Sequence, residues 1–122
     1  MQIDKLKDLI LYQSENTNKS IEVLYDNEDF WLTQKKMAEL FNVKPNTISY
    51  HLNEIYESKE LIKNSTNRKI RQVQKEGNRN VEREFDFYSL DAIIAVGYRV
   101  NSKEATDFRI WATNTLKEYI KK

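Results

Sequence analysis

TQKKMAELFNVKPNTISYHL, residues 33–52, decides the fold. Thr33 suits a helix N-cap, and Met37, Leu40 and Phe41 fall on one helical face with Ala38 beside them, predicting a helix over 34–41. Asn42 stands where helices end in the left-handed conformation, which Asn tolerates. Pro45 suits the first position of a second helix, where its missing N–H costs nothing. Ile48, Leu52, Ile55 and Tyr56 repeat at helical spacing and predict that helix over 45–58. Asn46, Tyr50, Asn53 and Glu54 then point away from the apolar stripe, with Thr47 at its edge. The outward face of the first two turns carries hydrogen-bonding groups and no Lys or Arg.

Working outward, LILYQ (9–13), SIEVLYD (20–26) and DFWLT (29–33) are rich in β-branched and aromatic residues and are separated by turn-like clusters, predicting two or three short strands. Residues 1–8 read as an extension and 59–67 as a loop. RKIRQVQK (68–75) and the alternating NVEREFDFY (80–88) predict a β-hairpin, with Gly77-Asn78 supplying residues that accept positive φ. Ser89 and Ser102 are the expected caps of two C-terminal helices, LDAIIAVGYRV and KEATDFRIWATNTLKEYIKK, which make a pair spanning 89–120. Trp31 and Trp111 are expected in the core, and Tyr50 in solvent.

The bulk numbers limit the chemistry. The 122 residues fit one domain of ordinary size. Cysteine is absent and His51 is the single histidine, which removes thiolate chemistry and makes His-rich metal sites implausible; a reducing compartment fits. The acids are scattered, which argues against a metal nuclease, so no catalytic residue, cofactor, metal site or small-molecule substrate is expected. The first residues lack a long apolar run, so no signal peptide is expected, and AIIAVGY (92–98) is too short to span a membrane. The net charge of +1 is unevenly spread: residues 62–83 carry seven Lys/Arg against two Asp/Glu. Such a block can attract a polyanion although the whole chain cannot.

Two helices, a short turn and a basic hairpin give an α+β winged helix-turn-helix layout. A helix fits the major groove, where side chains of its first turns reach base edges, and a basic hairpin beside it meets the backbone. The expected base-reading residues are Asn46, Thr47, Ser49, Tyr50 and Asn53. Thr33, Lys35, Lys36, Lys44 and His51, with Arg68, Lys69, Arg71, Lys75, Asn78 and Arg79 of the hairpin, are the expected backbone contacts. Spacing agrees: counting from Gln34, Ala38 takes the fifth place, where helices in contact need a small residue, and Asn42 the turn place. His51 takes a place where an apolar residue is expected, and Leu52 can serve instead. The competing reading is a protein-interaction module, because amphipathic helix pairs are common and Lys/Arg runs often only solvate a sheet edge.

ILYQ (10–13), WLTQKKMAELFNV (31–43), NTISYHL (46–52), FYSLDAIIAVGYRVNS (87–102) and FRIWATNTLKEYI (108–120) resemble the N-terminal region of RhuM-like proteins. These are bacterial proteins of mobile elements and pathogenicity islands, called virulence proteins. The resemblance implies a cytoplasmic, nucleoid-associated, double-stranded DNA-binding regulator of transcription, expected here as a homodimer. It marks VGYRVNS and FRIWAT as hallmarks. The residues themselves suggest that these pack two helices on the core and offer a dimer surface, with Arg99 and Arg109 as alternative phosphate contacts.

Overall fold

The structure, a computed structural model, describes residues 8–121, so the expected extension lies outside it except for Asp8, which opens the first strand. Three strands, β1 (Asp8–Gln13), β2 (Ser20–Asp26) and β3 (Asp29–Thr33), precede two helices, α1 (Gln34–Phe41) and α2 (Pro45–Glu57). A short helix α3 (Lys63–Thr66) leads into the hairpin β4 (Asn67–Glu76) and β5 (Arg79–Ser89). Helices α4 (Leu90–Val100) and α5 (Ser102–Lys121) complete the chain. The class is α+β.

The sheet is larger than the sequence suggested. The N-terminal strands and the hairpin form one antiparallel five-stranded sheet, ordered β1-β2-β3-β5-β4. Trp31, Leu32 and Thr33 of β3 pair with Ser89, Tyr88 and Phe87 of β5. Periodicity identifies each strand but not its neighbour, and these partners lie more than fifty residues apart. Residues 59–67 are not all loop, because Ser65 and Thr66 donate side-chain hydrogen bonds to the Ile62 carbonyl (3.1 and 2.8 Å) and help wind α3.

The helix ends on either side of the turn follow local chemistry. Thr33 Oγ1 accepts from the Lys36 amide at 3.2 Å, Asn42 is left-handed (φ 59°, ψ 47°), and Pro45 opens α2. The two C-terminal caps differ from expectation. Ser89 makes no capping bond and its hydroxyl is buried without a partner. Ser89 still holds the N-cap position in extended backbone, and the carboxyl of Asp29, from β3, lies where the Leu90 amide favours its charged form. At the start of α5 it is Asn101, not Ser102, whose side chain accepts from the Glu104 amide (3.3 Å), while its amide group donates to the Phe41 carbonyl (3.3 Å). In the hairpin turn only Gly77 (φ +63°) takes the left-handed conformation.

Both faces of the sheet bury apolar residues. Ile21, Val23, Phe30, Leu32 and Tyr88 meet Met37 and Phe41 of α1, Ile48, Leu52 and Ile55 of α2, Ile93 and Val96 of α4 and Phe108 of α5. Trp111 stacks on Phe30 with ring centroids 5.2 Å apart. The alternate residues Leu24, Trp31, Ile70 and Phe87 form a second, smaller cluster on the opposite face, as period-two alternation requires. Gly97 of α4 sits where an added Cβ would come within 2.6 Å of the Phe41 ring and 2.7 Å of Ala105 Cβ, so α1, α4 and α5 meet at a point that admits no side chain.

Candidate nucleic-acid interface

Burying Ile48, Leu52 and Ile55 fixes the rotation of α2. Asn46, Tyr50 and Asn53 are therefore exposed, Tyr50 at 58%, while Thr47, Ser49 and His51 are half-buried. The His51 ring meets the Tyr50 ring edge-on at 5.1 Å, and its Nδ1 is buried without a hydrogen-bond partner. Lys44 is exposed at the entrance of α2. Gln34 Nε2 donates to the Pro45 carbonyl at 2.9 Å and ties the start of α1 to the start of α2.

The acids of α2 lie in its last turns, away from this end. Glu54 and Glu60 pair with Arg99 of α4 at 3.6 and 2.8 Å, so Arg99 is engaged within the chain. Arg109 Nε donates to the Tyr98 hydroxyl at 3.0 Å. The first-turn end of α2 thus keeps a neutral polar face beside one lysine.

The hairpin is less basic than the run 62–83 suggests. Over Asn67–Ser89 six Lys/Arg stand against four Asp/Glu, because Glu84 and Asp86 fall just beyond that run. Lys69 pairs with Asp86 (3.0 Å), Arg71 with Glu82 (3.1 Å) and Arg83 with Glu76 (2.6 Å). The Arg83 hydrogen bonds hold the Glu76 carboxyl below the usual carboxylate range. Arg68 is drawn inward, with a contact to Asp26 at 3.2 Å and its guanidinium 5.0 Å over the Trp31 ring. Lys75, Asn78 and Arg79 at the hairpin tip are exposed, and none of them forms an ion pair among the described residues.

The candidate residues thus fall into separate groups. Asn46, Lys44, Tyr50 and Asn53 share one end and face of α2. Among the described residues, no side-chain hydrogen bond or ion pair joins Lys35 or Lys36 to them; with Leu24, Trp31, Phe85 and Gln72 the two lysines line a groove of about 440 Å³ between α1 and the outer sheet face. The Thr33 hydroxyl is occupied as a cap. Among the described residues, no hydrogen bond or ion pair links the hairpin cations to the outward face of α2. The Asp26–Arg68–Trp31 arrangement left no local signal in the sequence, because its members come from three strands.

Among the described residues, no three His, Asp or Glu side chains are grouped so as to hold a metal ion, and no helix is long and apolar enough to cross a membrane. Residues 65–122 match the Virulence protein RhuM family. The matched segment begins in α3 and takes in the hairpin and both C-terminal helices, just under half of the chain. It includes FYSLD, VGYRV and FRIWAT, whereas WLTQKKMAELFNV and NTISYHL lie outside it. No curated protein and no solved structure matches the chain significantly.

Proposed function

We propose that this chain is a non-catalytic, double-stranded DNA-binding domain of the winged helix-turn-helix type, acting as a homodimer in bacterial transcription control. The observation that carries the reading is the first-turn end of α2. Asn46 and Tyr50 project from it, no acid lies within its first two turns, and Lys44 stands at its entrance. Such an end inserts into a major groove without repelling phosphate, and Asn pairs well with adenine. Asn46, Tyr50 and Asn53 read base edges, with Thr47 and Ser49 at the margin. Lys44, Lys75 and Arg79 meet phosphate directly, because no acid among the described residues is paired with them. Lys69 and Arg71 must exchange Asp86 and Glu82 for phosphate. Exposed ion pairs of that kind contribute only about 0–1 kcal/mol, so the exchange is accessible.

The test is fluorescence anisotropy of the chain with a labelled random duplex at several salt concentrations. Affinity falling by roughly 10³-fold or more between about 50 and 200 mM salt corresponds to about six or more phosphate contacts and supports the reading. A chain that binds no duplex at low salt refutes it.

The self-neutralised hairpin favours the second reading, a protein-interaction module. Its cations are mostly matched by its own acids, as on a solvated sheet edge. Oligomer formation without salt-sensitive DNA affinity would select it.

A further inference from the structure

Two strands bound the sheet, and the sequence treats them differently. Edge strand β4 carries Lys69, Arg71 and Lys75 along its length, cations of the kind that keep an edge from pairing with another chain. Edge strand β1 carries no charge from Leu9 to Gln13. Leu9 and Leu11 on its outer face are 53% and 56% exposed. Ile110 of α5, 47% exposed, lies beside Tyr12 and Gln13 in a shallow hollow along the same edge. Three of the most exposed large apolar side chains of the described residues therefore border the outer edge of β1, beside which no further strand lies among those residues.

The backbone is set for pairing. The Ser14 amide donates to the Lys19 carbonyl at 2.9 Å across the β1–β2 turn. By the alternation of an antiparallel ladder, Tyr12 and Ile10 also turn their N–H and C=O groups toward β2, and Leu9, Leu11 and Gln13 turn theirs to the open edge.

We propose that β1 pairs antiparallel with β1 of a second copy, with Leu11 on the two-fold axis. This register places Leu11 opposite the partner's Leu11 and Leu9 opposite the partner's Gln13. All the outward backbone groups of Leu9, Leu11 and Gln13 then find partners, giving about six hydrogen bonds. A strand free of charge over this run is self-complementary, and the two Asp8 carboxylates lie at opposite ends of the ladder. Two five-stranded sheets join into one, and the apolar outer faces become continuous. The interface is isologous and closes as a dimer. It names the surface of the dimer in the DNA-binding reading, yet it rests on the edge strand alone.

Sedimentation equilibrium of the full chain over a roughly 100-fold concentration range should show a monomer–dimer equilibrium, weakened about tenfold or more by Leu11→Lys, which sets two lysines face to face. Circular dichroism checks that this exposed position leaves the fold intact. The natural chain has no cysteine, so Leu11→Cys should form a disulfide-linked dimer under mild oxidation, because directly opposed positions are within bridging distance, while Val73→Cys on β4 should not. A wild-type monomer throughout, or equal cross-linking at both positions, overturns the proposal. A monomer that still binds DNA refutes this dimer and leaves the DNA reading standing; a β1-linked dimer without DNA affinity does the reverse.

Discussion

The Tyr12 hydroxyl donates to Glu104 Oε2 at 2.8 Å, joining the edge strand β1 to the first turn of α5 across 92 positions of sequence. Glu104 is only 2% exposed and also accepts from Ser14 Oγ (3.0 Å) and Asn16 Nδ2 (2.9 Å). A buried carboxylate is tolerable when its lone pairs are filled in this way. Glu104→Ala strands three donors and should cost roughly 2–4 kcal/mol, read as a lower urea midpoint. A loss no larger than that of an exposed control such as Glu118→Ala would show that the cluster does not anchor α5.

Burial, and then the bond and charge of Glu104, push the Tyr12 phenol well above its ordinary pKa. The folded state therefore holds this proton more tightly than the unfolded chain does. The associated stability is fully present below about pH 10 and declines as pH rises above it, toward the raised folded value. Tyr12→Phe should flatten that alkaline decline while costing about 1–2 kcal/mol at neutral pH. An alkaline limb of unchanged steepness in the variant would assign the decline to another group.

Asp29 is a carboxylate held partly out of water beside α4. Its pKa is raised, with burial outweighing the amide hydrogen bonds from Phe30 and Leu90. For this group stability is present below about pH 4 and is lost as pH rises through the folded value, so ionised Asp29 works against the fold at neutral pH. Asp29→Asn keeps an accepting oxygen for the Leu90 amide without the buried charge. Its melting temperature at pH 7 should match or exceed wild type, whereas Asp29→Ala loses that acceptor and about 1 kcal/mol. Equal losses in both variants would mean that the amide bond contributes nothing.

Gly97→Ala should destabilise by about 1–3 kcal/mol through overpacking, despite the better helix propensity of Ala. The 2.6 Å approach of the Phe41 ring is the cause, so Phe41→Leu in the same chain should recover part of the loss. Additive losses in the double variant would place the strain elsewhere.

On DNA, Asn46→Ala with Tyr50→Ala should relax sequence preference, while Lys75→Ala with Arg79→Ala should weaken every duplex and reduce the salt slope by about 2 per chain. Lys69→Ala with Arg71→Ala should reduce it less, since those cations are already matched by acids. Equal effects of all three pairs on every duplex would remove the division between reading and holding.

Much of the fold was legible because it is written in short-range patterns. Met37, Leu40 and Phe41, then Ile48, Leu52 and Ile55, set the faces of α1 and α2 through a period that any few turns repeat. Thr33, Asn42, Pro45 and Gly77 act through backbone geometry within a few residues of themselves. The exposed row of Asn46, Tyr50 and Asn53 followed directly, since burying one stripe of a helix exposes the other.

Short-range pattern therefore fixes most elements and the face each turns inward, with α3, read as loop, the exception. Contacts across the fold set the pairing of β3 with β5, the missing side-chain bond of Ser89 at the start of α4, and the need for Gly97 to stay small. Tertiary structure also decided which hairpin cations are matched, leaving Lys75 and Arg79 without an ion pair among the described residues, and that the edges of the sheet are β4 and a β1 whose run Leu9–Gln13 is uncharged. These are properties of pairs and neighbours far apart in the chain. Periodicity and capping act within a few residues, whereas hydrogen bonds, ion pairs and steric limits act through space, and only folding sets which residues share it.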